Sequence, residues 1–182
     1  MKERSILTAG CGCLIAILAL RLSADEVHAE AVPKALETPP AQVLTISARG
    51  VGVQIYECTA GKDGSKRYSW TLKGPEAELR DKSGRKLGKH YAGPTWEAND
   101  GSKVVGDVVA RDDGPDGAAI PWLLLRAKST SGSGVFSAIL SIQRLHTGGG
   151  KAPESGCDQT QSGRETRVPY TADYYFYAAA RS

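Results

Sequence analysis

One methionine and two phenylalanines in 182 residues leave a packed interior to be filled by Val, Leu, Ile, Tyr and Trp. After residue 20 there is no apolar run of the length that a membrane-spanning helix needs, so no stable span is expected there. Helical periodicity with caps is also missing, which argues against a bundle or a doubly wound fold. Beyond residue 29 the chain has no C-x-x-C, H-x-H, H-E-x-x-H or G-x-S-x-G spacing. That removes the common zinc frameworks and the serine nucleophile elbow, and no metal site is expected. No basic stripe occurs either. Lys and Arg alternate with Asp and Glu at a net charge of +3, too weak and too scattered for nucleic acid.

What the chain does have is abundant turn residues, with 21 Gly and 9 Pro, and many short alternating segments. Lys2 and Arg4 precede an apolar run from Ile6 to Leu20, and small residues at 23–24 and 27–29 suit a signal peptidase. Residues 1–29 therefore read as a secretory signal peptide, and the protein as secreted or periplasmic. Their removal takes away three basic and three acidic residues, so the charge is unchanged. Residues 30–40, with Pro33, Pro39 and Pro40, read as an extended arm. Residues 41–178 read as one all-β domain, a single antiparallel sandwich or flattened barrel of about eight to ten short strands.

Within that domain, Val43, Leu44 and Ile46 mark a first strand, and Arg49-Gly50 reads as a turn. Val51, Val53 and Ile55 alternate with Gly52, Gln54 and Tyr56 in a second strand. Tyr68, Trp70 and Leu72 form the next, broken by Gly74-Pro75, after which residues 76–80 have room for one helical turn. Asp81 to Gly84 suits a hairpin. The apolar residues of Ile120 to Leu125 do not alternate, so both faces should be covered, as in a central strand. Phe136, Ala138, Leu140 and Ile142 share one face of a further strand. Residues 147–165 read as a long loop. The last strand sets Val168, Tyr170, Ala172, Tyr174 and Phe176 against Thr171, Asp173, Tyr175 and Tyr177.

Two cysteines remain after the leader. In an oxidising compartment Cys58 and Cys157 are expected to pair, with two buried free thiols as the alternative.

Several blocks occur in a fixed order. They are Gly-Lys-His-Tyr-Ala-Gly-Pro-Thr-Trp at 88–96, Asp-Gly-Ser-Lys-Val-Val-Gly at 100–106 and Ile-Pro-Trp-Leu-Leu-Leu at 120–125. Ile-Gln-Arg-Leu at 142–145, Gly-Gly-Lys-Ala-Pro at 149–153 and Pro-Tyr-Thr-Ala-Asp-Tyr at 169–174 complete the series. Together they resemble an exported family of bacteria and fungi known as domain of unknown function 3455, over about residues 33–177. The resemblance implies no activity. Some members carry a malate dehydrogenase label, which this sequence does not support. Gly148-Gly149-Gly150 is followed by Lys151-Ala-Pro153 rather than by a helix that could hold a pyrophosphate. No cofactor is expected.

The densest set of chemically capable groups lies between Gly88 and Gly106. His90, Tyr91, Trp96, Glu97 and Asp100 are the candidate binding residues, and the expected role is noncatalytic binding of a small molecule, glycan or envelope component. Trp70 and Trp122 are assigned to the core. Two other readings stay open. In a hydrolase, His90 would be the general base, oriented by Glu97 or Asp100. In a structural surface protein, all five groups would be buried and satisfied, with no pocket.

Overall fold

In a computed structural model the described residues are 31–61 and 67–180. Residues 1–29, read above as a signal peptide, and part of the loop after Cys58 lie outside them. Eight antiparallel strands follow one another in sequence: β1 (Gln42–Ala60), β2 (Tyr68–Arg80), β3 (Lys86–Tyr91), β4 (Thr95–Ala98), β5 (Lys103–Asp112), β6 (Trp122–Ser131), β7 (Ile139–Gly149) and β8 (Glu165–Ala179). Each pairs with the next, and β1 also pairs with β8, so the sheet closes into a barrel. No strand is central in a closed ring, so Ile120 to Leu125 is covered on both faces for another reason, given below.

The interior is built from one face of each strand. Leu79, Trp96, Val104, Leu125, Ile139, Ile142, Tyr174 and Phe176 are buried in one cluster. Burying a side chain of this size contributes about 1.5–3 kcal/mol. On β8 the inward residues are Tyr170, Ala172, Tyr174 and Phe176, spaced by two as the pleat requires. Tyr174 fits because β1 presents Gly50 to it. A Cβ there would lie 2.5 Å from the Tyr174 ring. Arg49-Gly50 is therefore not a turn but the middle of one long strand.

Gly74-Pro75 does not end β2 either. Ile55 pairs with Gly74 and Tyr56 with Leu72, so the extra residue is absorbed as a bulge. Residues 76–80 are strand, with Ala77 and Leu79 inward, rather than a helical turn. At the start of β7 another register shift turns Ile139 inward and leaves Leu140 exposed, while Phe136 fills the core from the preceding turn.

The N-terminal arm is not simply extended. It makes a short 3-10 turn over Lys34–Leu36, and Leu36 is fully buried against Trp122, Leu124 and Leu145 on the outside of the barrel. Gln143 Nε2 donates to the Leu36 carbonyl at 2.7 Å. The arm is thus the outer cover that makes the start of β6 apolar on both faces. Cys58 and Cys157 are disulfide-bonded with Cα atoms 5.4 Å apart, which ties the 151–164 loop to the end of β1.

Candidate functional site

The hairpin of β3 and β4 turns at Gly93, whose φ of 83° suits glycine. Directly opposed residues share a face. His90 opposes Trp96, whereas Lys89 opposes Glu97 and Tyr91 opposes Thr95. The pleat therefore divides the residues singled out by sequence. His90 and Trp96 point into the barrel and are 3% and 1% exposed. Tyr91 and Glu97 lie on the outer face, and Asp100 sits in the turn that leaves β4.

His90 lies flat on Trp96, with ring centroids 4.3 Å apart and planes 9° apart. Its Nδ1 is 2.9 Å from the Thr95 carbonyl. A carbonyl only accepts, so Nδ1 carries the hydrogen and Nε2 keeps a lone pair. Burial drives the His90 pKa down to about 3; the Thr95 bond opposes this, and the Arg144 charge adds to it. The ring is neutral at physiological pH.

On the outside, Tyr91 donates to Glu97 Oε2 at 2.8 Å, and Lys103 and Lys89 lie 3.3 and 3.5 Å from the same carboxylate. The Tyr91 bond, followed by the lysine charges, holds the Glu97 carboxyl below its ordinary range. Asp100 accepts from Ser102 N and Oγ, and from Val135 N at 2.9 Å. It fastens the 132–136 turn to the β4–β5 turn. His90 thus has no bond to either carboxylate proposed as its partner.

The inner face of the hairpin forms one wall of a cavity of about 380 Å³. That volume falls within the range of small-molecule sites. Trp96, Leu125, Ile120 and Leu123 line it, together with Gln54, Tyr56, His90 and Arg144. Leu72, Pro75, Pro94, Val108 and Arg111 stand at its edge. The opening follows from strand lengths. β2 pairs with β3 only from Glu76 onward, and β5 pairs with β4 only through Val105. Beyond the hairpin tip the edges of β2 and β5 face each other unpaired, and Leu72 and Val108 are 54% and 52% exposed there.

The polar groups of the cavity share one character. Gln54 Nε2 and Trp96 Nε1 are buried without a hydrogen-bond partner. Arg144 projects inward from β7, and its Nε and Nη2 donate to the Pro121 carbonyl at 3.0 and 2.8 Å. Among the described residues no carboxylate forms an ion pair with it. Its charged neighbours' places are taken by the phenols of Tyr174, Tyr170 and Tyr56, and desolvation lowers its pKa without removing its charge. Tyr170 and Tyr174 bond each other at 3.2 Å, and burial raises both phenols, so they stay neutral.

A second hollow, of about 250 Å³, lies on the outer surface beside Arg49, Asp81 and Asp173. Three of its charged groups are already paired, Asp81 with Arg85 at 3.0 Å and Arg49 with Asp173. Arg49 Nη1 is 2.9 Å from Asp173 Oδ1, and His146 Nδ1 is 3.0 Å from Asp173 Oδ2. Among the described residues no three His, Cys, Asp or Glu side chains converge as metal ligands. No helix among them is long and apolar enough to cross a membrane.

Gln54, Tyr56 and Arg144 were not singled out from sequence. The one signal for Arg144 was its position two residues after Ile142, on the same strand face. Trp122 is buried, as assigned, but under the arm rather than in the barrel; Trp70 is only half-buried, with Nε1 donating to the Ser155 carbonyl.

A family described as protein of unknown function (DUF3455) matches residues 39–178. Neither a curated protein nor a solved structure matches the chain.

Proposed function

We propose that this chain, which belongs to the DUF3455 family, is an exported protein that binds a small molecule without catalysis inside its barrel. The observation that carries the reading is the cavity opening between β2 and β5, apolar along its walls and holding Arg144 with two unpartnered donors. An eight-stranded barrel has an interior wide enough for one small ligand. A leader-like N-terminus, one disulfide and no spanning helix among the described residues fit export.

The other readings fit the geometry less well. A hydrolase with His90 oriented by Glu97 or Asp100 lacks that contact, since both carboxylates bond elsewhere, and burial drives the His90 pKa to about 3, too low for a general base near neutral pH. A platform for stacking sugars would present Trp96 to solvent, where it is buried. A structural protein would leave neither a cavity nor bare donors.

The test is a thermal-shift screen of the oxidised protein against small apolar acids, alcohols, amines and simple sugars. It is repeated on Leu123→Trp, which fills the cavity. At least one class raises the melting temperature of wild type and fails to do so in the variant. No shift with any class, or equal shifts in both proteins, overturns the reading.

A further inference from the structure

The chemistry of the cavity restricts its ligand, given the reading above. Arg144 is a guanidinium with five N–H groups, of which two go to Pro121. It brings one positive charge into a largely desolvated place with no carboxylate paired to it. An uncompensated buried charge is costly, and an anion is what removes that cost. Two other residues of the lining carry buried donors without a partner, Gln54 Nε2 and Trp96 Nε1. Gln54 is 2% and Trp96 1% exposed, so water does little for either. Three donor side chains and no carboxylate thus line a single cavity. The rest of the lining is mostly apolar, with Leu123, Leu125 and Ile120 on the walls and Leu72 and Val108 at the mouth; the Tyr56 hydroxyl is taken up by the Gly150 carbonyl at 2.6 Å, and Arg111 at the edge is paired with Asp113.

We propose that the ligand is a small carboxylate with an apolar body, its head group on Arg144 and the Gln54 and Trp96 donors, its body directed toward Leu72 and Val108. A single guanidinium matches one negative charge, and its planar fork matches the two oxygens of a carboxylate. A phosphate monoester would bring a second charge, and the other cation of the lining, Arg111 at the edge, is already paired with Asp113 at 2.9 Å. His90 is neutral, so it adds no second positive charge beside Arg144. A sugar would need donors and acceptors on all sides, whereas most of this lining is apolar and the two buried groups without a partner are donors.

The test compares octanoate with 1-octanol, the same chain without the charge, by titration calorimetry on the oxidised protein. Wild type binds octanoate roughly 10- to 100-fold more tightly than octanol, as one charge-assisted contact provides. Arg144→Met and Arg144→Gln remove that preference, so that octanoate binds no more tightly than octanol in either variant. The Gln variant keeps a donor for the Pro121 carbonyl, so it guards against a folding defect in the Met variant, and the wild-type comparison needs no variant at all. Equal affinity for octanoate and octanol in wild type, with both lost in Leu123→Trp, overturns the carboxylate and leaves the cavity as a binding site. Absence of octanoate binding also overturns the carboxylate, whereas failure of the whole compound panel overturns the site itself.

Discussion

Asp100 Oδ2 accepts the Val135 amide hydrogen at 2.9 Å, joining two turns that are 35 residues apart. The same carboxylate holds Ser102, whose Oγ in turn accepts from Phe136 N at 3.0 Å. Phe136 is buried against Phe176, so this polar clamp positions a core residue. Asp100→Ala should lower the melting temperature and leave ligand binding in the barrel intact, because Asp100 does not line the cavity. Thermal unfolding with and without octanoate checks both parts. The hydrogen bonds hold the Asp100 carboxyl below its ordinary range, so the clamp works above the usual carboxylate pKa and is lost on acidification below the lowered value.

His90 sets a pH dependence of its own. Its folded pKa of about 3 lies below the ordinary 6.5. The unfolded chain therefore binds a proton that the folded protein refuses between those values. Stability from this group is complete above pH 6.5 and falls with acidification toward pH 3, by about 1.4 kcal/mol per pH unit in that window. Urea unfolding of wild type at pH 7 and pH 5 should show the loss, and His90→Phe should flatten it. Carboxylates titrate mainly below pH 5, and the His90→Phe comparison separates this imidazole from the other histidines.

The disulfide closes a sequence separation of 99 residues. Chain entropy assigns such a cross-link about 4–5 kcal/mol. Cys58→Ser with Cys157→Ser should shift the urea midpoint down strongly, and dithiothreitol should do the same to wild type. Cys58 is fully buried, so reduction is expected to need partial opening of the loop at 151–164.

Gly106 faces the Trp96 indole. A Cβ there would lie 3.1 Å from Trp96 and 3.0 Å from Leu125. Gly106→Val crowds the Trp96 indole and the Leu125 side chain and should cost about 1–3 kcal/mol as overpacking does. Because Trp96 and Leu125 line the cavity, the same change should weaken octanoate binding, which calorimetry reads directly.

The alternation of β8 and the hairpin at Asp81–Gly84 were legible in the sequence because side chains there obey the pleat without interruption. The paired cysteines were legible because only two follow residue 29. β1 was harder. Val51, Val53 and Ile55 carry the β-branched signal, yet Gly50, Gln54, Tyr56 and Cys58 are the buried positions and Val51 is 46% exposed. Small and polar residues face inward there because that end of the barrel encloses a cavity rather than a solid core. Bulges at Gly74-Pro75 and at Ile139 shift the register in ways that local composition does not encode. The candidate site was half legible: one cluster of sequence neighbours held His90 and Trp96, but the pleat sends Tyr91 and Glu97 to the other face. Arg144 lies 48 residues beyond Trp96 in sequence and reaches the same cavity only through closure of the ring.

The most direct measurement is a crystal structure of the oxidised protein with octanoate bound. The carboxylate should lie within hydrogen-bond distance of Arg144, Gln54 Nε2 and Trp96 Nε1, with the chain running between Leu72 and Val108. Octanoate beside Arg49 and Asp173 on the outer surface, or a barrel interior that stays empty at saturating octanoate, would contradict the account.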